Sequence, residues 1–369
     1  MKINAFGVEE WLNIHEREAK YDLAQSTVKS FSMNELNQLT NSKDLYSDLD
    51  KQKMNYGWIE GSPEFKEEVS KLYKNVAPEN VLQTNGATGA NLLAIYSLIE
   101  PGDHVISAYP SYQQLYDIPE SLGAEVSYWE LKEENGWYPD IDELRKLIKK
   151  NTKMICLNNA NNPTGTIIDR DYLMKIVEIA KEIDAYILVD EVYLPFDSSV
   201  KYSPIIDLYE KGISINSLSK TYSIPGIRIG WTATNSELAD IFRKYRDYTM
   251  ICAGVFNDQI ATIVLKNRDK ILQRNSNLVK ANLDIYKEWV KETPDVSCVF
   301  PAEVSTSFIK FEKIKDTKTF CEKLLQDTGV LLVPGEAFDE PGFARLGYCT
   351  DPETLKIGLK KLSDYLLKY

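Results

Sequence analysis

Tyr186-Ile187-Leu188-Val189-Asp190, followed by Glu191-Val192-Tyr193, reads as a strand buried on both faces. The run is continuously apolar rather than alternating, and a sheet covered by helices on both sides buries a strand in that way. Its end delivers a carboxylate, a second acid and a phenol to the C-terminal edge, where open α/β sheets place their ligands. Outward from this strand the same rhythm repeats. Strands are expected at Val81–Thr84, His104–Ala108, Glu125–Glu130, Met154–Leu157, Ile213–Ser217 and Ile229–Ala233, with helices at Ala87–Ile99, Tyr112–Leu122, Ile141–Lys149 and Arg170–Ile183. That alternation predicts an α/β fold with a mostly parallel, seven-stranded sheet. Before it, Val8 to Tyr21 reads as an amphipathic helix and Tyr21 to Phe31 as an extended arm. After it come Ser236–Tyr248, a long helical stretch from Asn257 to Lys291 and a mixed tail.

Lys220 closes Ser217-Leu218-Ser219-Lys220 inside the largely apolar stretch Ile213–Trp231. An ammonium buried without a partner is costly, so such a lysine is neutralised, paired or covalently modified. An aldehyde cofactor does the last by condensing with the amine. Upstream, Asn158-Asn159-Ala160-Asn161-Asn162-Pro163-Thr164-Gly165 follows an expected strand, and downstream Gly226-Ile227-Arg228-Ile229-Gly230 brings an arginine close. Gly86-Ala87-Thr88-Gly89 opens a helix after a strand and leaves backbone N–H groups free for an anion. Pyridoxal phosphate needs a Schiff-base lysine, an acid for its ring nitrogen, donors for its phenolate and cations for its phosphate. The chain offers all four in a compact order.

The ordered set Tyr56, Gly86-Ala87-Thr88, Tyr112, Asn162-Pro163-Thr164-Gly165, Asp190-Glu191-Val192-Tyr193, Ser217-Leu218-Ser219-Lys220, Arg228 and Arg345 resembles the class I/II aminotransferases of pyridoxal phosphate fold type I, over nearly the whole chain. The resemblance implies a Schiff base and proton shuttle at Lys220 and a ring-nitrogen partner at Asp190. It implies donors to the phenolate at Tyr193 and Asn162, and a ring-stacking aromatic at Tyr112. A phosphate cup would comprise Gly86, Ala87, Thr88, Ser217 and Arg228, with Ser219 a weaker candidate than Ser217. Arg345, in Phe343-Ala344-Arg345-Leu346-Gly347, would grip the substrate α-carboxylate beside Asn162. Tyr56 would reach the phosphate of a neighbouring subunit, which implies a homodimer with shared sites. A large domain at 46–260 is expected, with 1–45 and 261–369 forming an arm and a smaller α+β domain.

Two places depart from the common pattern. The glycine-rich entry motif is replaced by Leu23-Ala24-Gln25-Ser26-Thr27-Val28, and a Pro-Ala-Gly type turn by Pro301-Ala302-Glu303-Val304-Ser305. The opening Val8-Glu9-Glu10-Trp11-Leu12 with Ala19-Lys20-Tyr21-Asp22-Leu23 is instead similar to the capreomycidine synthase subgroup, which acts on an arginine-derived amino acid. The expected reaction is transfer of an amino group from an L-amino acid to a 2-oxo acid. A cyclase of that subgroup or a carbon–sulfur β-lyase would keep Lys220, Asp190 and Arg345 and differ in the pocket.

Composition narrows the alternatives. A net charge of −12 over 369 residues opposes nucleic-acid binding, whose phosphates select a basic surface, and with it a cofactor-sensing transcription regulator. No apolar run approaches membrane-spanning length. Met1 to Glu18 lacks a basic head and an apolar core, so export is not expected. Cys156, Cys252, Cys298, Cys321 and Cys349 have no metal-ligand or redox spacing, which fits reduced thiols in a cytoplasm. The two histidines, His15 and His104, read as structural, and no metal is expected.

Overall fold

The computed structural model describes residues 2–42 and 51–369; the expected domain boundary at residue 46 lies outside the described residues. Seven strands form the central sheet: β1 (Val81–Asn85), β2 (His104–Tyr109), β3 (Glu125–Glu130), β4 (Thr152–Asn158), β5 (Tyr186–Asp190), β6 (Gly212–Ser217) and β7 (Ile229–Ala233). Their order across the sheet is β1-β7-β6-β5-β4-β2-β3. β7 runs antiparallel to both neighbours, and the other pairs are parallel. This matches the expected mostly parallel sheet of seven strands.

Register decides what the sheet edge presents. Asn158 of β4 lies opposite Asp190 of β5, and Asp190 lies opposite Ile215, two residues before Ser217 at the end of β6. Because β7 is reversed, its first residue, Ile229, faces Asn85 at the end of β1. Arg228 therefore arrives beside the start of the Gly86–Leu98 helix. That helix is apolar nearly all round and packs under the sheet in a cluster with Leu82, Val105, Leu188 and Ile213, as a helix without a polar face must. The opposite face of the sheet carries the Arg170–Glu182 helix, whose first turn is capped by Asp169 accepting from Tyr172 N.

A second, antiparallel sheet is built from β8 (Val296–Cys298), β9 (Ser307–Phe311), β10 (Val333–Pro334) and β11 (Phe343–Leu346), in the order β10-β11-β9-β8. The N-terminal segment joins it. Tyr21–Asp22 pairs in parallel with Val330–Leu331, Gly347 N donates to Leu23 O at 2.8 Å, and Lys29 N donates to Cys349 O at 2.8 Å. Val8, Trp11, Leu23 and Ala24 share one core cluster with Ile155, Ile187, Phe308 and Leu346.

Two expectations need correction. The first helix covers Gly7–His15, with a single 3₁₀ turn at Glu16–Glu18, and does not reach Tyr21. Pairing of Tyr21–Asp22 with Val330–Leu331 draws the chain out of the helix. The expected Asn257–Lys291 stretch is two helices, Val255–Lys266 and Arg268–Glu292. Asn267 Nδ2 donates to Ile263 O at 2.9 Å at the break, and such side-chain bonds compete with the helical ladder.

Candidate active site

Above the C-terminal edge of the sheet lies a cavity of about 890 Å³, walled by the strand ends on one side and the N-terminal segment on the other. Ala87, Thr88, Tyr112, Asn162, Asp190, Tyr193, Ser217, Lys220, Arg228 and Arg345 all line it. Residues spread over more than 250 positions of sequence thus converge on one volume. Tyr56 does not. It is 81% exposed and lines a different hollow with Gly57 and Trp58.

Asp190 emerges from β5 wholly buried. Its Oδ2 accepts from Asn91 Nδ2 at 2.8 Å and its Oδ1 from Val192 N at 3.3 Å. Burial pushes its carboxyl up to about 6, against the opposing effect of those bonds and of the Lys220 charge. Glu191, next along, is pushed up to about 8, also by burial. It faces away from the cavity, accepting from Ile205 N and Ser214 Oγ at 2.8 and 3.0 Å.

Lys220 Nζ donates to Ser26 Oγ at 3.1 Å and stands 5.9 Å from the centre of the Tyr193 ring. Tyr193 OH donates to the same Ser26 Oγ at 2.8 Å. The hydroxyl of Tyr193, expected to face a phenolate, is thus already engaged by the N-terminal segment.

At the far end of the cavity a chain of carboxamides leads to Arg345. Asn158 Nδ2 donates to Asp190 O at 2.9 Å, Asn158 Oδ1 accepts from Asn162 N at 2.8 Å, and Arg345 Nη1 donates to Asn162 Oδ1 at 3.1 Å. Arg345 Nη2 donates to Ala24 O at 2.9 Å, while its Nε has no partner. Only 3% of this arginine is exposed. Burial lowers its hold on its proton, partly offset by Tyr193, Glu9 and Asp22. A buried guanidinium bonded only to neutral oxygens is poised for an anion.

The phosphate-cup candidates gather where β1 meets the Gly86–Leu98 helix. No side chain caps that helix, so its first N–H groups remain available to an anion. Gly86 has φ +68, and a Cβ there would lie 2.5 Å from Arg228 Nη2. Arg228 itself adopts φ 53 and its Nη1 donates to Ser219 Oγ at 3.4 Å. Ser219 N in turn donates to Ser217 Oγ at 3.2 Å. Ser219, the weaker candidate from sequence, is therefore the serine in contact with the arginine. Tyr112 packs on Phe6 with ring centres 5.2 Å apart, and burial raises its phenol.

These groups fit pyridoxal phosphate. The uncapped helix start and Arg228 suit its phosphate, buried Asp190 its ring nitrogen and the Lys220 amine its aldehyde, while the unpaired Arg345 Nε has a donor to spare for an anion. Ser26 and Asn91 complete the arrangement and carry no motif signal of their own. Among the described residues no cluster of His, Cys, Asp or Glu is arranged for a metal ion.

The profile of the family described as aminotransferase class I and II matches residues 20–362. Capreomycidine synthase of Streptomyces vinaceus is 28% identical over 97% of this chain and 93% of its own length. Aspartate aminotransferase of Thermotoga maritima is 30% identical over 86% of this chain and 85% of its own. Among solved structures, a PLP-dependent aminotransferase from Streptococcus suis superposes with a TM-score of 0.98 at 57% identity, covering 100% of this chain and 99% of that one. The fold, the convergence of the strand-end residues and the extent of the match agree: the chain belongs to the class I and II aminotransferase family.

Proposed function

We propose that the protein is a pyridoxal phosphate-dependent aminotransferase that moves the amino group of an L-amino acid to a 2-oxo acid, with Lys220 as its central residue. The observation that carries this reading is Arg345, buried and incompletely bonded in the same cavity as the Lys220 amine. An α-amino acid presents a carboxylate one carbon from its amine, and a bidentate guanidinium contact would orient its Cα–H bond. When bound, the cofactor supplies a sink for the electrons left at Cα. Lys220 holds it through the amine and, once released by substrate, carries the proton away from Cα and returns it. Asp190 pairs with the ring nitrogen, Tyr193 and Asn162 serve the phenolate oxygen, and Tyr112 covers the ring. Ala87 and Thr88 N–H groups, Gly86, Ser217 and Arg228 hold the phosphate.

In this reading the cavity lies between a large unit, 46–260, and a smaller one formed by 1–45 and 261–369. Tyr56, Trp58 and Ile59 are exposed on one stretch. They suit a homodimer interface in which Tyr56 of one chain reaches the phosphate-binding groups of the other. The five free cysteines suit a reducing cytoplasm.

A second reading has an observation of its own. Glu9, Asn13 and Glu16, spaced four and three residues apart, line the cavity together with Asp22. This wall favours a substrate with a cationic side chain, as an arginine-derived amino acid has, and so a capreomycidine synthase-like reaction. Holoenzyme incubated with L-aspartate, with an arginine hydroxylated at Cβ or with an S-substituted cysteine, in the absence of any oxo acid, tests these readings. Formation of one equivalent of 2-oxo acid per site is the expected result for transfer. Conversion of the β-hydroxylated arginine to a product lighter by one water, with the amine retained and no oxo acid formed, would favour cyclisation, and pyruvate with ammonia from an S-substituted cysteine would favour elimination.

A further inference from the structure

Ser26 lies in the segment where the sequence departs from its family, and the structure gives that departure a physical consequence. Its hydroxyl oxygen accepts from two groups at once, Tyr193 OH at 2.8 Å and Lys220 Nζ at 3.1 Å. The residue is 2% exposed and lines the cavity. Two accepted bonds fill the lone pairs of a serine oxygen, which leaves its O–H free to donate.

The backbone around Ser26 is pinned from three sides. Arg345 Nη2 donates to Ala24 O at 2.9 Å, Ser305 Oγ donates to Ser26 O at 2.5 Å, and Gly347 N donates to Leu23 O at 2.8 Å. Gly347 permits this approach. A Cβ on it would fall 1.7 Å from Gln25 O, so any side chain there would lift the segment away. Both departures from the common pattern, at Leu23–Val28 and Pro301–Ser305, thus meet at this one residue.

We propose that Ser26 is a positioning residue for the Lys220 amine, holding it by one N–H so that its lone pair stays aimed at the substrate Cα. This rests on the reading of Lys220 as the proton carrier. Ser26 neither gains nor loses a proton: Lys220 takes one from Cα as a neutral amine and gives it back, while the Ser26 oxygen accepts an N–H of Lys220 throughout. Tyr193 braces the serine from the other side; when its single proton turns to the phenolate oxygen, the free O–H of Ser26 donates to the Tyr193 oxygen instead, and a serine lone pair remains for Lys220. The same hydroxyl ties the segment that binds Arg345 to the residue that does the chemistry, so substrate carboxylate and amine are referenced to one short piece of chain.

The test compares wild type, Ser26→Ala, Ser26→Thr and Lys220→Ala. Holoenzymes are given α-deuterated L-arginine and L-aspartate, and loss of deuterium to solvent is followed. Ser26→Ala should slow exchange by at least about tenfold with KM changed less than about threefold, and Ser26→Thr, which keeps the hydroxyl, should recover most of the rate. In the cofactor-free protein, an amine-reactive ester read by peptide mass spectrometry should label Lys220 at least about threefold faster in Ser26→Ala, because the amine has lost its tether. Wild-type exchange and labelling in Ser26→Ala would overturn the proposal, as would equal losses in Ser26→Ala and Ser26→Thr. Retained exchange in Lys220→Ala would overturn the reading beneath it, whereas loss of exchange there with none in Ser26→Ala would overturn the role of Ser26 alone.

Discussion

Asn91 Nδ2 donates to Asp190 Oδ2 at 2.8 Å with both side chains buried. Asn91 sits on the helix that starts at Gly86, so the element with the uncapped N-terminus also holds the Asp190 carboxylate. In the proposed reading, this one helix would relate the group that holds the phosphate to the group that pairs with the ring nitrogen. A carboxyl held this way, away from water, pairs best with a donor that carries positive charge.

Asp190 should make the cofactor-free protein sensitive to pH. Burial raises its carboxyl to about 6, so the folded state binds the proton more tightly than the unfolded one. Stability from this group is full below its unfolded value and is lost as pH rises through about 6. Relative to Asp190→Asn, wild type should lose roughly 2 kcal/mol between pH 4 and pH 7, since the unfolded carboxyl is already partly ionised at pH 4 and each tenfold change in proton affinity is worth about 1.4 kcal/mol. Urea unfolding across that range measures it, and saturation with pyridoxal phosphate should flatten the difference. Parallel profiles for the two cofactor-free proteins would remove burial of Asp190 as the cause.

Lys220→Ala should reduce turnover by at least about 100-fold, the scale set by loss of a positioned base, while the cofactor still binds noncovalently through the groups around Gly86 and Arg228. Borohydride reduction of wild-type holoenzyme followed by peptide mapping should place the cofactor on Lys220. Attachment at another lysine would sink the assignment.

How legible all this was depends on distance along the chain. Glu125–Glu130, Tyr186–Asp190 and Ile229–Ala233 have the bounds expected from sequence, because strand patterning and adjacent turns are local signals. The first helix ended early because its continuation pairs with Val330–Leu331, a partner some three hundred residues away. Residues inside motifs, such as Asn162 and Arg228, line the cavity. Ser26 stayed hidden because its partners, Tyr193 and Lys220, lie 167 and 194 residues away. Asn91 had one faint signal, a lone amide among Ala90, Leu92, Leu93 and Ala94.

Gly86→Ala should weaken cofactor binding chiefly through the phosphate. The position has φ +68, and the new methyl would meet Arg228 Nη2 at 2.5 Å. A left-handed conformation costs a non-glycine residue roughly 1–2 kcal/mol, and Arg228 must move as well. Pyridoxal phosphate affinity should fall by at least about tenfold, corresponding to about 1.4 kcal/mol. Pyridoxal, which lacks the phosphate, should lose much less. Equal losses for both ligands, measured by equilibrium dialysis, would mean that the substitution disturbs the fold rather than the cup.

Arg345→Lys should not behave as a conservative change. The guanidinium spans Asn162 Oδ1 and Ala24 O through two different nitrogens and keeps Nε unpaired. A lysine offers one compact ammonium and cannot hold both oxygens and a carboxylate in the same plane. It would also leave the N-terminal segment without its tie at Ala24. We expect kcat/KM to fall by at least about tenfold, or roughly 1.4 kcal/mol of transition-state stabilisation. The penalty should largely vanish for amines that lack an α-carboxylate, because those never use the fork. Single-turnover assays on an amino acid and its decarboxylated analogue, with both proteins, separate the possibilities. If the substitution slows both substrates equally, Arg345 anchors the segment through Ala24 and the substrate carboxylate is bound elsewhere in the cavity.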